Sequence, residues 1–243
     1  MQSSAPAATP VAPLCIGHSH LRCVQAAALE SGTPLAAVNF WDDNSVILNS
    51  PEAPVLVEAL QQQIRAHEGT VYSYIGGGAH TVIGLVSHPR RYDFVLPENP
   101  DLPIDPRAEL VPADAVLEVL ERETEPYLKL MLHLRRLAPD RLVHMEPPPP
   151  CLDNDRIAPH IPWPLFPGMR QEVAPPWLRY KAWRLHSGLV SRWCAQHRIE
   201  FRAHPRVAAD AAGFLKDEFF LDGVHANPGY GRLLLQQMEG AAA

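Results

Sequence analysis

The chain has 243 residues, 47% of them apolar, which is enough to bury the core of one α/β domain. Its 21 basic and 27 acidic residues give a formal charge of −6, which disfavours nucleic acid as a partner because nucleic-acid-binding proteins usually carry a basic excess. No stretch reaches the roughly 18 consecutive apolar residues of a membrane span, so no membrane partner is expected. The four cysteines form no CxxC pair and no His/Cys ligand spacing. We therefore expect free thiols in a cytoplasmic setting, no bound metal and no cofactor.

Composition along the chain predicts its domain organisation. Residues 1–12 are rich in Ala, Ser and Pro and lack the basic start and apolar run of a secretory signal, so a disordered lead-in is expected. Residues 13–243 are expected to form a single domain. Two Pro-rich stretches with little periodicity, near 88–112 and 147–176, predict irregular insertions in that domain, and long loops of this kind are often functional.

Apolar patterns predict an alternation of strands and helices. In chain order they predict a strand at 14–16, a helix over 20–30, a strand at 34–40, a helix over 55–67, a strand at 71–75, a helix over 113–137 with a kink near Pro126, a strand at 141–145, a helix over 177–197, a strand at 199–202 and a helix over 228–238 capped by Asn227. Such an alternation is typical of an α/β protein whose parallel sheet is covered on both faces. The expected sheet has five parallel strands.

Two short segments carry the residue types of nucleophilic catalysis. Ser19 lies on the turn between the first predicted strand and helix, where backbone N–H groups suit an oxyanion, although a plain helix cap is the alternative. Asp222 and His225 lie three residues apart before the last helix. A serine hydroxyl needs a base near neutral pH, and that base needs a carboxylate to fix its tautomer. The spacing alone is weak, since Asp and His are both common before helices.

Together the two segments resemble the SGNH/GDSL hydrolase superfamily. The sequence Gly-His-Ser-His at 17–20 is similar to its nucleophile block, in which Gly-Asp-Ser-Leu is commoner, and 220–230 is similar to its final Asp-x-x-His block. The resemblance implies a flavodoxin-like three-layer α/β/α sandwich. It also implies that Ser19, Asp222 and His225 are the catalytic residues and that the protein hydrolyses an ester of a small soluble or carbohydrate compound through an acyl-enzyme.

The resemblance fails at the superfamily's third block, which is typically Gly-x-Asn-Asp and whose Asn donates to the oxyanion. Gly78 stands at the position of that Asn. Backbone amides of Gly77 or Gly78, or the side chain of His80, are candidate replacements, and Asn39 is the nearest polar residue for the second block. Because one oxyanion donor is worth roughly 10²–10³ in rate, slow turnover is expected, with a gain on Gly78→Asn.

Two other functions are compatible with the same residues. The first is a catalytically weak relative that binds a glycan or an acyl compound, suggested by the missing Asn. The second is an acyltransferase that passes the acyl group to a sugar rather than to water. The sequence leaves the oligomeric state open.

Overall fold

The computed structural model describes residues 11–40, 42, 46–47 and 54–240, so residues 1–10 of the predicted lead-in lie outside the described residues. In chain order the strands and α-helices are β1 (Leu14–Gly17), α1 (Arg22–Ser31), β2 (Ala36–Asn39), β3 (Val46–Ile47), β4 (Val55–Leu56), α2 (Glu58–Ala66), β5 (Val71–Tyr74), α3 (Thr81–Gly84), β6 (Tyr92–Asp93), β7 (Glu109–Leu110), α4 (Ala113–Leu137), β8 (Leu142–Met145), α5 (Asn154–Ile157), α6 (Pro176–Gln196), β9 (Glu200–Arg202) and α7 (Pro228–Met238).

Five strands form one parallel sheet in the order β2-β1-β5-β8-β9. Numbered by their position in the chain, these strands run 2-1-3-4-5, which is the flavodoxin-like order. The predicted five-stranded parallel sheet is therefore confirmed. The strand order reverses between β1 and β5, and open α/β sheets bind ligands beyond the carboxyl ends of the strands at such a point.

Helices cover both faces of the sheet. Because side chains alternate along a strand, Leu14 and Ile16 of β1 point to one face and Cys15 to the other. The first face packs against α2, α4 and α6, and the second packs against α1 and α7. Burial of each large aliphatic side chain contributes about 1.5–3 kcal/mol, so both layers are held by apolar packing. The predicted three-layer α/β/α sandwich is confirmed.

Three short strands lie where the sequence predicts a helix or an irregular loop. The predicted helix over 55–67 begins only at Glu58, because Val55–Leu56 pairs antiparallel with Val46–Ile47. The β-branched Val55 suits an extended backbone, and strand pairing overrides the helical spacing there. Inside the 88–112 insertion, Tyr92–Asp93 pairs with Glu109–Leu110. Strands of two residues are too short to leave an alternating pattern in the sequence.

A buried ion pair fastens the first insertion to the helical layer. Lys181 of α6 and Asp93 of β6 are 0% and 2% exposed, with Nζ and Oδ1 2.5 Å apart. Lys181 also donates to the Pro103 carbonyl, and Asp93 accepts the backbone N–H groups of Phe94 and Asp105. Both charged groups of this pair thus also make hydrogen bonds to the backbone, as burial of an ion pair requires. The insertion is therefore anchored at a fixed point beside α6.

Candidate active site

A tight approach of two strands shapes the turn that carries Ser19. Gly17 ends β1 with φ +154°, and a Cβ there would lie 2.5 Å from the backbone carbonyl carbon of Tyr74 in β5. Only glycine fits this approach. Ser19 then begins a single 3-10 turn, Ser19–Leu21, which runs directly into α1. The hydroxyl therefore lies at the carboxyl edge of the sheet, where the strand order reverses.

His18 joins this turn to the one that follows β5. Its backbone N–H donates to the Tyr74 carbonyl, and its Nδ1 accepts the N–H of Gly76 at 3.2 Å. Its ring meets Phe40 and Tyr127 edge-on, at centroid distances of 5.3 and 5.2 Å. His18 thus holds the glycine turn beside Ser19.

The loop before α7 brings Asp222 and His225 to Ser19. Asn227 caps α7 by accepting the N–H groups of Gly229 and Tyr230, which fixes where the loop ends. Ser19 Oγ lies 2.7 Å from His225 Nε2, although 206 positions separate the two residues in sequence. His225 Nδ1 lies 2.8 and 2.9 Å from the two carboxylate oxygens of Asp222. The three side chains form one hydrogen-bonded chain, within the distances that a nucleophile and its base require.

Asp222 is held in its ionised form. Partial burial raises the pKa of this carboxyl, but hydrogen bonds from the His225 side chain and the Val224 N–H, with the charge on His225, bring it down to about 2. Oδ1 accepts the backbone N–H groups of Val224 and His225, both at 2.9 Å. An ionised Asp222 accepts the Nδ1 proton of His225, so Nε2 is left free to accept a proton from Ser19.

The other predicted site residues lie at the same edge of the sheet. Gly77 and Gly78 follow β5 and lie against His20, whose Cδ2 would be 2.9 Å from a Cβ on Gly77. His80 is buried at the start of α3, with its ring centroid 5.5 Å from that of His186. The side chain of His80 therefore packs beneath the glycine turn.

Asn39 ends β2, opposite Gly17 in the sheet register, and is 1% exposed. Asn39 thus ends the strand beside β1 at the same edge of the sheet as Ser19, and its role as the polar residue of the second block stays a prediction. The sequence did not single out His20 as a site residue, because a histidine after the nucleophile has no pattern of its own; only the fold places it against Gly77.

A cleft of about 420 Å³, including its open mouth, adjoins His225 and Asp222. Its apolar wall comes from two distant parts of the chain and includes Pro148, Pro149, Pro150, Leu215, Phe220 and Val224. Polar groups of His80, Thr81 and Arg179 also line it. An apolar cleft with a few converging polar groups is the usual form of a small-molecule site.

Over the described ranges, no three His, Cys, Asp or Glu side chains converge closely enough to hold a metal ion. The four cysteines are buried free thiols. None of the helices in the described part of the chain is both long enough and apolar enough to cross a bilayer.

Four buried histidines and the partly buried His18 are expected to make the protein unstable in mild acid. Burial lowers the pKa of His20 and His144 to about 3 and that of His18 and His186 to about 4, and it holds the pKa of His80 well below the usual value. In the unfolded chain each pKa is about 6.5, so the unfolded chain binds more protons between about pH 4 and 6.5. The stability that the neutral forms contribute is complete above about pH 6.5 and is lost as the pH falls.

We therefore expect acid unfolding with a midpoint above about pH 4, accompanied by the uptake of several protons. Tryptophan fluorescence and far-UV circular dichroism between pH 8 and pH 3 measure the midpoint, and the pH dependence of urea unfolding measures proton uptake. Retention of native spectra down to pH 3.5, with a stability that does not change with pH, would contradict this expectation.

No protein-family model matches the chain, and no curated protein sequence matches it. Among solved structures it is similar to a GDSL-like lipase from Bacteroides thetaiotaomicron, with 12% identity, 98% of this chain and 92% of the other covered, and a TM-score of 0.41. It is also similar to phospholipase A1 from Streptomyces albidoflavus, with 11% identity, 97% and 100% covered, and a TM-score of 0.46. Likenesses of this degree leave the chemistry to be argued from the site's own side chains.

Proposed function

We propose that this protein is a serine hydrolase of the SGNH/GDSL type that cleaves esters through an acyl-enzyme. The observation that carries the proposal is the hydrogen-bonded chain from Ser19 Oγ through the His225 imidazole to the Asp222 carboxylate. This order of hydroxyl, imidazole and carboxylate is the arrangement that activates a serine at neutral pH.

The proposed reaction has two halves. In the first, Ser19 Oγ attacks the ester carbonyl carbon while His225 Nε2 takes the serine proton, and the carbonyl oxygen becomes an oxyanion. The oxyanion then re-forms the carbonyl, the bond to the alcohol breaks, and His225 returns the proton to the leaving alcohol. In the second half of the reaction, His225 deprotonates a water that attacks the acyl-enzyme. The acid then leaves as His225 returns the proton to Ser19. Asp222 stabilises the imidazolium in both halves.

Backbone amides near Ser19 are the proposed first donors to the oxyanion. Ser19 opens the turn after β1, and Gly77 and Gly78 lie within the turn after the neighbouring β5. Backbone N–H groups held in place by their turns need no reorganisation during the reaction, which is the main source of such stabilisation.

The cleft beside His225 favours a small acyl group. Only about 20 Å³ of it is space that a water-sized molecule can occupy, far below the roughly 300–1,000 Å³ of typical ligand sites. The rigid rings of Pro148, Pro149 and Pro150 form part of its wall and limit its expansion. A short acyl ester of a soluble compound, with a carbohydrate as one option for the alcohol, is the proposed substrate. A cytoplasmic location and the lack of nucleic-acid or membrane partners remain predictions from the sequence.

A chain-length series tests this substrate class. We expect kcat/KM for p-nitrophenyl esters to be highest with acyl chains of two to four carbons and to fall at least about tenfold by twelve carbons, since a chain longer than the cleft must push against its rigid wall. Product analysis with added sugars separates hydrolysis from acyl transfer, because transfer yields an acylated sugar. A rate that rises steadily to twelve carbons would contradict the small-acyl assignment, and absence of turnover on the whole series would favour the weakly active binding protein.

A further inference from the structure

We propose that His20 Nε2 donates a hydrogen bond to the oxyanion, replacing the side-chain donor that is lost with glycine at position 78. The inference rests on the proposed ester hydrolysis and adds a catalytic residue to it. It also explains how the site provides a side-chain donor although the third block lacks its asparagine.

The first support is the position of the imidazole. His20 follows Ser19 directly in the 3-10 turn, and its ring centroid lies 5.3 Å from that of His225. Its Nε2 would be 3.4 Å from a Cβ on Gly77 and 4.0 Å from a Cβ on Gly78. The ring therefore borders the space into which an asparagine at 78 would extend.

The second support is the group of unpartnered polar atoms that share a cavity with the His20 ring. His20 Nδ1 is buried without a hydrogen-bond partner among the described residues, and so are the hydroxyls of Tyr74 and Tyr230. All three residues line one small cavity, with about 10 Å³ of space for a water-sized molecule. Because none of the three atoms has a direct partner, a phenol hydroxyl would reach the imidazole nitrogen through one buried water, which a space of this size is just large enough to hold.

Glu146 lines the same cavity, but its carboxylate already accepts hydrogen bonds from Ser187 and His204. The cavity thus offers His20 Nδ1 hydroxyl donors. An imidazole that accepts at Nδ1 carries its proton on Nε2, which is the nitrogen beside Gly78.

The third support is the charge state. Burial, together with the smaller effects of the neighbouring imidazoles of His225 and His18, lowers the pKa of His20 to about 3. His225 gains a proton during the reaction, which disfavours a second positive charge 5.3 Å away. A neutral imidazole still has one N–H to donate, and a neutral histidine can polarise a carbonyl in this way.

His80, the replacement predicted from the sequence, is the weaker candidate. Its imidazole interacts with the backbone carbonyl of Gly77, and its ring packs against that of His186. A ring nitrogen engaged with that carbonyl supports the glycine turn from below. His80 is therefore assigned to positioning Gly77, and His20 to the oxyanion.

The test combines His20→Ala with Gly78→Asn. We expect His20→Ala to lower kcat on a short-chain ester about 10²–10³-fold, with KM changed less than about threefold, because the lost contact is made only in the transition state. Gly78→Asn alone is expected to give no gain, in contrast to the expectation from the sequence, since His20 already fills the space of the donor. In the double variant the new amide is expected to recover at least tenfold of the lost kcat.

A transition-state analogue separates a catalytic role from a structural one. An alkyl boronic acid that adds to Ser19 places a negative oxygen in the oxyanion hole, so its affinity should fall in parallel with kcat in His20→Ala. The affinity of a matched unreactive amide should not change. His144→Gln removes another buried histidine, one that hydrogen-bonds Ser73 in the sheet core, and is expected to leave kcat unchanged in folded protein.

Two results separate this inference from the proposed function. If the wild type hydrolyses esters but folded His20→Ala keeps kcat and boronate affinity within threefold, the His20 assignment is wrong and the hydrolase stands. If the wild type neither hydrolyses esters nor binds the boronate, both the proposed hydrolase function and the His20 assignment are wrong. Should His20→Ala not fold, His20→Phe fills the space with a ring that has no N–H donor and decides the question: kcat reduced at least tenfold supports the assignment, and an unchanged kcat overturns it.

Discussion

Ser19→Ala is expected to lower kcat for ester hydrolysis by about 10⁶-fold while the fold is kept. Removal of the nucleophile in a serine–histidine–aspartate site costs about this much, because the general base then has no hydroxyl to activate. The change deletes one oxygen, which hydrogen-bonds to His225 Nε2, so the unfolding free energy should shift by no more than about 1 kcal/mol. The measurement is kcat on a short-chain aryl ester, alongside urea unfolding.

Ser31→Ala is the matched control. Ser31 ends α1, and its hydroxyl bonds to the Ala27 carbonyl and to Thr33, away from the site. Its turnover should equal that of the wild type. If Ser19→Ala retained more than about 1% of the wild-type kcat, the proposed nucleophile would be wrong.

Variants of Asp222 and His225 are expected to have the next largest effects, and of different sizes. His225→Ala removes the base and should cost about 10⁶-fold in kcat, similar to the loss of Ser19, because residues that act as a unit are not additive. Asp222→Asn should cost about 10⁴-fold, since the amide lacks the negative charge and favours the wrong imidazole tautomer. Asparagine can still accept the N–H groups of Val224 and His225 through Oδ1, so the loop should keep its shape.

Asp217→Asn provides the control for the loss of a carboxylate on the same segment. Asp217 is 78% exposed and pairs with Arg156 at the surface, and surface ion pairs contribute little. Its kcat should stay within twofold of the wild type. Equal kcat values for Asp222→Asn and Asp217→Asn would remove Asp222 from the mechanism.

The sequence predicted the sheet and the three central residues because both leave local patterns. Each sheet strand is a short apolar run, and Ser19, Asp222 and His225 lie in short motifs at strand and helix ends. Alternating strands and helices then place the ends of neighbouring parallel strands on one edge, which is why residues 206 positions apart meet at 2.7 Å.

The residues around the oxyanion and the cleft were less predictable, because their positions depend on packing between distant segments. His20 contacts Gly77 only because β1 and β5 are neighbours in the sheet. From the sequence, Pro148–Pro150 is predicted only as part of an irregular loop. In the fold this segment lines the cleft together with Phe220, which is distant in sequence. Periodicity describes one element at a time, so it cannot report such contacts.

Labelling with a fluorophosphonate tests the central claim most directly. The probe phosphonylates an activated serine, and peptide mass mapping then identifies the modified residue. We expect a single adduct at Ser19, absent in Ser19→Ala and formed much more slowly in His225→Ala, where the serine loses its base. An adduct at another serine with Ser19 unmodified, or no adduct in protein that hydrolyses esters, would contradict it.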